Sequence, residues 1–320
     1  MPNLSDAESE KYDFIIIGAG PAGLSAAIYA ARRNLSTLVI AREVGGLMVL
    51  THQVENYPGF DNISGYDLME KMKNQAEKQG VKFSFGEVQR IEKEQQRFIV
   101  SSGDGKKFSA GAVLLAFGLS HRRLSIPGEE KFSGKGVTYC ATCDGPLYRG
   151  KTVAIIGGGN SAFDATLYLA DIAKQVYLIH RNDKFRAEAE ILEQAHKLKN
   201  VEILTNTQLA EVKGDNKVTG IIVYDSNDQA KSKELKVDGV FVEIGYEPNT
   251  AWLGDLVKLN SAGEIIVDNA GATSGPGIFA AGDCTNVVFK QIVIAAGEGA
   301  TAALSAYKYL TKGGIEKWSR

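Results

Sequence analysis

Apolar residues along the chain gather in short runs that end in glycine. The first, "FIIIGAGPAGLSAAIYAA" from Phe14 to Ala31, starts with a β-branched stretch and breaks at Gly18-Ala19-Gly20-Pro21-Ala22-Gly23 before continuing in alanine. Such a pattern predicts a buried strand, a tight turn and a helix. The run is nearly long enough to span a bilayer, but its glycines and proline favour strand, turn and helix over a membrane segment. "KTVAIIGGGNSAFDATLYLADI", Lys151 to Ile172, repeats the scheme: strand, then Gly157-Gly158-Gly159-Asn160-Ser161-Ala162, then helix. A third segment, Thr273 to Cys284, predicts a short buried strand ending in Gly282-Asp283. A small-residue helix follows it from about Gln291 to Tyr309.

Composition narrows the class. The chain has 320 residues, enough for about two ordinary domains. Its 44% hydrophobic and 23% charged content is that of a soluble globular protein. A net charge of −2 gives no reason to expect nucleic acid or an anionic membrane as partner. The 35 glycines are the one excess, and they cluster in loops after apolar runs. The opening "MPNLSDAESEKYD" has neither a basic n-region nor an apolar h-region, so it does not read as a signal peptide. A cytoplasmic protein is expected, in which a cysteine pair is more often catalytic or metal-binding than a structural disulfide.

The repeated loop carries chemistry. The first glycine allows the tight turn, the second lets a pyrophosphate approach the backbone, and the small third residue lets helix pack on strand. Amides at the helix N-terminus then hold phosphates. One such loop is weak evidence, because an ordinary βα turn has the same composition; two, each between strand and helix, point to two bound dinucleotides. The strands that follow distinguish the sites. Glu43 follows "STLVI", near where a ribose hydroxyl would bind. His180, Arg181 and Arg186 follow "QVYLI", and cations there suit the 2′-phosphate of NADPH better than NADH. A solvated basic turn is the plainer alternative for that cluster. Asp283 at a strand end can bond a sugar-like chain or cap a helix; with the first loop it closes an FAD site. If residues near 18 and 283 clasp one FAD, the first domain is built from both chain ends and the second unit is inserted into it. The crossings then fall near 116–123 and 245–252, and two short crossings are what a hinge needs.

"TYCATCDGPLY", 138–148, places Cys140 and Cys143 two residues apart, followed at once by Asp144. A zinc site needs about four ligands. The third cysteine, Cys284, is distant, and His52, His121, His180 and His196 have no ligand spacing, so no metal is expected. Plain burial of two small residues stays possible. A redox pair is the stronger reading: Cys-x-x-Cys can close a small disulfide, exchange proceeds through the thiolate, and a nearby acid can protonate the leaving sulfur. Asp144 is placed for that, and equally to serve as a turn residue before Gly145. Cys284 reads as structural.

GAGPAG at 18–23, ENYPG at 55–59, CATCD at 140–144, GGGNSA at 157–162, HRNDKFRA at 180–187 and GD at 282–283 occur in an order and spacing that resembles the low-molecular-weight thioredoxin reductases along essentially the whole chain. The resemblance implies an α/β fold of two Rossmann-like dinucleotide-binding domains, for FAD and NAD(P)H, the second inserted into the first. It divides the chain at 1–118, 119–248 and 249–320, with the redox pair in the insert. It implies FAD on Gly18, Gly20, Pro21, Gly23, Glu43, Gly45, Gly46, Leu47, Asn56, Gly118, Asp283, Gln291 and Ile292. It implies NADPH, with NADH an alternative, on Gly157, Gly159, Asn160, Ser161, Ala162, His180, Arg181 and Arg186. Cys143 would face the flavin, Cys140 would attack the partner's disulfide, and Asp144 would be the acid–base residue. Homodimerisation, a thioredoxin or glutaredoxin-like partner, and rotation of the inserted domain between two electron-transfer positions are further implications. Four positions depart from the family pattern. Asn182 replaces an arginine of the phosphate clamp, and Leu47 a glutamine at the flavin. Asp164-Ala165 replaces two acids, and Pro146-Leu147 an aromatic pair beside the redox loop.

The competing readings share this fold. A ferredoxin-fed disulfide reductase would need no nicotinamide, and GGGNSA with Arg181 and Arg186 argues against it. A dithiol oxidase would pass electrons from substrate thiols to oxygen. A flavoprotein of the alkyl hydroperoxide reductase type would carry a long N-terminal extension, where only about a dozen residues precede the first strand here. A nucleotide-sensing module would leave Cys140 and Cys143 incidental.

Overall fold

The structure is a computed structural model that describes residues 10–51 and 53–311; the amino-terminal segment read for a signal peptide, up to residue 9, and His52 lie outside the described residues. The chain forms two compact units. One takes the described residues up to Ser120 and from Glu247 onward, and the other is the continuous segment His121–Tyr246.

The first unit begins with β1 (Glu10–Ala19), α1 (Pro21–Ala31), β2 (Thr37–Val44), α2 (Gly65–Lys78) and β3 (Lys82–Phe85). It continues through β4 (Val88–Glu94), β5 (Arg97–Ser102) and β6 (Lys107–Leu115), and leaves by β7 (Ser120–His121). The second unit holds β8 (Val137–Thr138), α3 (Ala141–Asp144), β9 (Thr152–Gly157), α4 (Asn160–Ala170), β10 (Gln175–Ile179), α5 (Ala189–His196) and β11 (Val201–Leu204). Then follow β12 (Thr207–Gly214), β13 (Val218–Asp225), β14 (Asp228–Leu235) and β15 (Gly239–Glu243). The chain returns by β16 (Tyr246–Glu247) to β17 (Ile278–Ala280) and α6 (Ile292–Thr311).

In the first unit the strand order is β3-β2-β1-β6-β5-β4, with β17 also on β6. β6 lies parallel to β1 along one side; its other side is shared by β5 over Lys107–Ala110 and by β17 over Val113–Leu115. That sharing stitches the two ends of the chain into one sheet. β1 is buried on both faces, as a parallel strand covered on both sides must be. Phe14 and Ile16 enter the core under α1, α2 and α6, while Ile15 and Ile17 pack on the opposite face with Phe98, Leu253, Ile278 and Cys284. The expected strand of 273–284 shrinks to Ile278–Ala280, because Gly275 and Gly277 turn the chain just ahead of it, Gly277 at φ +88°. The helix expected from 291 runs from Ile292 to Thr311.

In the second unit β11-β10-β9-β15-β8 is wholly parallel. Val153 and Ile155 face α4 and α5, while Ala154 and Ile156 face the antiparallel sheet β12-β13-β14. The fold is thus α/β with two Rossmann-like units, the first on a mixed sheet whose β4-β5-β6 edge is antiparallel and the second on a parallel sheet, the second unit inserted into the first. The crossings β7 and β16 pair with each other, and the Arg122 amide donates to the Gly245 carbonyl at 2.9 Å. No described helix is long and apolar enough to cross a membrane.

Candidate functional site

The first glycine loop leaves no room for side chains where the turn is tight. Gly18 has φ +110°, and a Cβ there would lie 2.2 Å from the Ala116 carbonyl oxygen; one on Gly23 would lie 1.9 Å from that of Gly18. Gly20 differs: a Cβ would meet nothing nearer than the Gly45 oxygen at 3.9 Å. Pro21 opens α1, and no side chain caps it. The result is an open hollow at a helix N-terminus whose amides await an anion. Glu43 is exposed near the end of β2, beside Arg42, which pairs with Glu87. Gly45 donates to the Ala19 carbonyl at 2.8 Å; Gly46 and Leu47 lie in the short 3₁₀ segment after it. Gly118, at φ +65°, lies in the turn after β6.

The far end of the chain closes on this loop. Gly282 has φ +79°, and its Cβ position lies 3.0 Å from the Ala22 side chain; a Cβ on Gly299 of α6 would lie 2.0 Å from the Ala22 oxygen. Glu298 accepts the Gly282 amide at 2.8 Å. Asp283 follows, its carboxyl pushed up by burial with Lys290 opposing. Lys290 is held by Glu264 at 2.9 Å and by the carbonyls of Asp283 and Thr285 at 3.0 and 2.7 Å. Asn56 donates to Gln291, next to Ile292 at the start of α6, at 3.3 Å.

The second loop is built alike. A Cβ on Gly157 would lie 2.2 Å from the Glu243 oxygen and 2.7 Å from the Ala162 Cβ, and one on Gly158 2.3 Å from the His180 ring. Nothing lies within 4 Å of the corresponding point on Gly159. Asn160 and exposed Ser161 open α4, which has no side-chain cap. Asn160 exchanges two hydrogen bonds with Glu188, at 3.1 and 2.9 Å. The turn after β10 folds back on this hollow. The Arg186 amide donates to the Gly158 carbonyl at 2.8 Å, and His180 stacks on Phe185 at 5.0 Å. Arg181 and Arg186 are exposed, and no carboxylate pairs with either among the described residues. Two unspent guanidinium groups beside a capless helix suit a phosphorylated nucleotide. Both hollows fit the cofactors considered from sequence, FAD in the first unit and NAD(P)H in the second.

Cys140 and Cys143 form a disulfide, their Cα atoms 5.4 Å apart. Cys140 is the N-cap of α3, its sulfur accepting the Cys143 amide at 3.2 Å. Cys143 is exposed and Cys140 half-buried. Thr138 ties the arrangement together: its hydroxyl donates to Asp144 and accepts the Cys140 amide, the latter at 3.2 Å. Tyr139 donates to Glu129 at 2.9 Å, and buried Glu129 also accepts the amides of Leu124 and Ser125 at 2.9 and 2.7 Å. Burial first, and Glu129 second, push the Tyr139 phenol up to about 12. Cys284 is fully buried against the sheet, its thiol pushed up to about 12 by burial, and it takes no part in this cluster. No group of three metal-type side chains occurs among the described residues. Sequence reasoning passed over Thr138, Glu129, Glu188, Glu243 and Glu298. Glu243 alone left a signal, a single acid ending the apolar run "GVFVE".

Two nucleotide hollows and a disulfide on the second of the two sheets are the parts of a nucleotide-linked disulfide enzyme. Residues 12–299 match the pyridine nucleotide-disulphide oxidoreductase family, and the chain belongs to it. It is 44% identical to the thioredoxin reductase of Treponema pallidum, over 93% of this chain and 97% of that protein. It is 40% identical to the NADH dehydrogenase of Bacillus subtilis over 96% of this chain, but spans only 60% of that longer protein. The crystal structure of Lactococcus lactis thioredoxin reductase matches with a TM-score of 0.80 at 38% identity, covering 94% of this chain and 99% of that one.

Proposed function

We propose that the chain is a thioredoxin reductase, taking reducing equivalents from NADPH and delivering them to the disulfide of a thioredoxin or glutaredoxin-like protein. The observation that carries this is the Cys140–Cys143 disulfide at the N-terminus of α3, with Asp144 held beside it by Thr138. Bound FAD would supply the relay of two electrons from the nicotinamide to that disulfide. Gly18, Gly20, Pro21, Gly23 and Glu43 would hold its dinucleotide end, and Gly45, Gly46, Leu47, Asn56, Gly118, Asp283, Gln291 and Ile292 its flavin end. Gly157, Gly159, Asn160, Ser161 and Ala162 would bind the nucleotide pyrophosphate, and His180, Arg181 and Arg186 its 2′-phosphate.

Once the pair is reduced, the N-terminus of α3 favours a thiolate. Cys140 attacks a sulfur of the partner's disulfide, and the bond between the partner's two sulfurs breaks. Asp144 supplies a proton to the departing sulfur. Cys143 then attacks Cys140, which closes the internal disulfide and releases the partner as a dithiol. The protein is proposed to act as a cytoplasmic homodimer.

Asn182 favours a second donor. Without an arginine there, the 2′-phosphate meets two guanidinium groups, Arg181 and Arg186, beside His180, and NADH loses less by comparison. The test is steady-state reduction of a thioredoxin disulfide by native protein and Cys140→Ser with each nucleotide. Turnover in the native protein, with a kcat/KM for NADPH above that for NADH, supports the proposal. Equal turnover by Cys140→Ser overturns it.

A further inference from the structure

We propose that Glu129 is a positioning residue for the Cys140–Cys143 pair, holding the Cys140 side of the redox loop through the Tyr139 hydroxyl so that the two sulfurs stay within reach when the disulfide opens. The inference rests on the redox reading of that pair, and needs neither the nucleotide nor the protein partner.

Among the described residues Glu129 is the one acidic side chain in the buried interior, 3% exposed. A carboxyl there has to find donors, because unpaired oxygens away from water are costly. It finds three, from two separate stretches of chain. One oxygen accepts both the Leu124 amide and the Tyr139 hydroxyl at 2.9 Å, and the other accepts the Ser125 amide at 2.7 Å. Leu124 and Ser125 belong to the segment by which the chain enters the second unit, and Tyr139 directly precedes Cys140. Ser125 sits at φ +56°, a left-handed conformation that a non-glycine residue keeps only where its surroundings hold it. The bond from its amide to Glu129 supplies that hold.

Glu129 is itself fixed. The Pro127 carbonyl accepts the Val212 amide of β12 at 3.0 Å. Gly128, at φ +88°, lies so close to β12 that a Cβ would fall 2.1 Å from the Val212 oxygen. The turn carrying Glu129 is therefore docked on the antiparallel sheet, and Tyr139 is tied to that dock. The Tyr139 ring packs on His121 at 5.5 Å, and His121 packs on Tyr246 at 4.7 Å. Burial first, and Glu129 second, push the phenol up to about 12, so the hydroxyl stays a donor where thiols titrate. The next residue is tied as well, the Cys140 amide donating to Thr138 at 3.2 Å. A loop anchored at two successive residues gains little freedom when the disulfide opens. Closing it again then costs little entropy, which favours the disulfide.

A Glu129 that only held the entry segment to the sheet would need Leu124 and Ser125 but not Tyr139, so removing the Tyr139 hydroxyl separates the two roles. The full-length, flavin-loaded protein is equilibrated without oxygen in dithiothreitol buffers of graded reduced-to-oxidised ratio, acid-quenched and alkylated. Thiols at Cys140 and Cys143 are counted by peptide mass spectrometry. In the exchange the Cys140–Cys143 bond breaks as dithiothreitol closes its own disulfide, and two electrons and two protons pass to the protein. Tyr139→Phe keeps the ring against His121 and should raise the equilibrium constant for reduction about 3- to 10-fold, a rise in potential of about 14 to 30 mV. Glu129→Gln should shift the same way, and the double variant no further than Glu129→Gln alone. Tyr139→Phe leaves Glu129 its two amides, so it decides the matter even where Glu129→Gln does not fold. Equal constants in native and Tyr139→Phe overturn the proposal, whatever happens to thermal stability, and so does a shift toward harder reduction. Failure of NADPH or thioredoxin turnover would sink the functional proposal and leave these constants untouched.

Discussion

Asn56 and Gln291, 235 residues apart in sequence, meet side chain to side chain at 3.3 Å. The contact joins the ENYPG segment to the start of α6. It is possible only because β17 adds to β6 and carries the end of the chain back to its beginning. Each single replacement by alanine should weaken FAD retention about 3- to 10-fold, the worth of about 1 kcal/mol of hydrogen bonding. The double variant should lose less than the product of the two, because both changes break the same bond. Dialysis against apoprotein with flavin fluorescence reads the retention; fully multiplicative losses would show the two residues to act independently.

The glycines divide into two kinds. Gly18→Ala drives a Cβ to 2.2 Å from a backbone oxygen in a left-handed conformation, so it should prevent the first unit from folding. Gly20→Ala and Gly159→Ala meet open space. They should leave thermal stability within about 0.5 kcal/mol of native while filling the hollow where a phosphate would lie. Gly20→Ala should therefore be purified colourless but folded, and Gly159→Ala should raise KM for the nucleotide with kcat nearly unchanged. A yellow Gly20→Ala protein would contradict the assignment.

Thr138 is the only described side chain hydrogen-bonded to Asp144. A hydrogen bond to a charged group is worth about 1.5–3 kcal/mol, and valine keeps the shape without the hydroxyl. Thr138→Val should lower kcat for partner reduction roughly tenfold, with little change in nucleotide KM, because the acid is no longer aimed. Thr138→Ser should restore most of the rate. Equal rates in native and valine proteins would remove Asp144 from the mechanism.

Glu243 makes stability depend on pH. Its folded pKa of about 7 lies above the ordinary 4.5, so its contribution is fully present below the unfolded value and is lost as pH rises through the folded one. Between pH 5 and 8 the native protein should lose roughly 1–3 kcal/mol through this group, and Glu243→Gln should not. Thermal melts at the two pH values check the sign; a native protein that gains stability through this window relative to Glu243→Gln would contradict it.

How much of this was legible beforehand depends on how local each feature is. The two glycine loops read directly, because tight turns and close helix packing impose residue types at fixed spacing. Cys140 and Cys143 read for the same reason. The strand before Asp283 was overestimated, since Gly275 and Gly277 interrupt a run whose composition is otherwise strand-like. Thr138, Glu129 and Glu243 were passed over because their meaning lies in pairing across strands or loops. A threonine beside a cysteine motif, or a glutamate in a loop, acquires a role only when the segments that bond it are brought together. The Asn182 departure was visible in the sequence, and the fold adds that its backbone carbonyl accepts the Asn206 amide at 3.2 Å while its side chain is exposed.

The central claim is that electrons reach Cys140 and Cys143 from a nicotinamide through bound flavin. The most direct measurement is an anaerobic titration of the yellow protein with NADPH and separately with NADH, following flavin absorbance and counting free thiols. The account predicts rapid bleaching by NADPH and two new thiols per chain, absent in Cys143→Ser. Bleaching by dithionite but by neither nucleotide would contradict it, and would move the ferredoxin-fed or oxidase reading ahead.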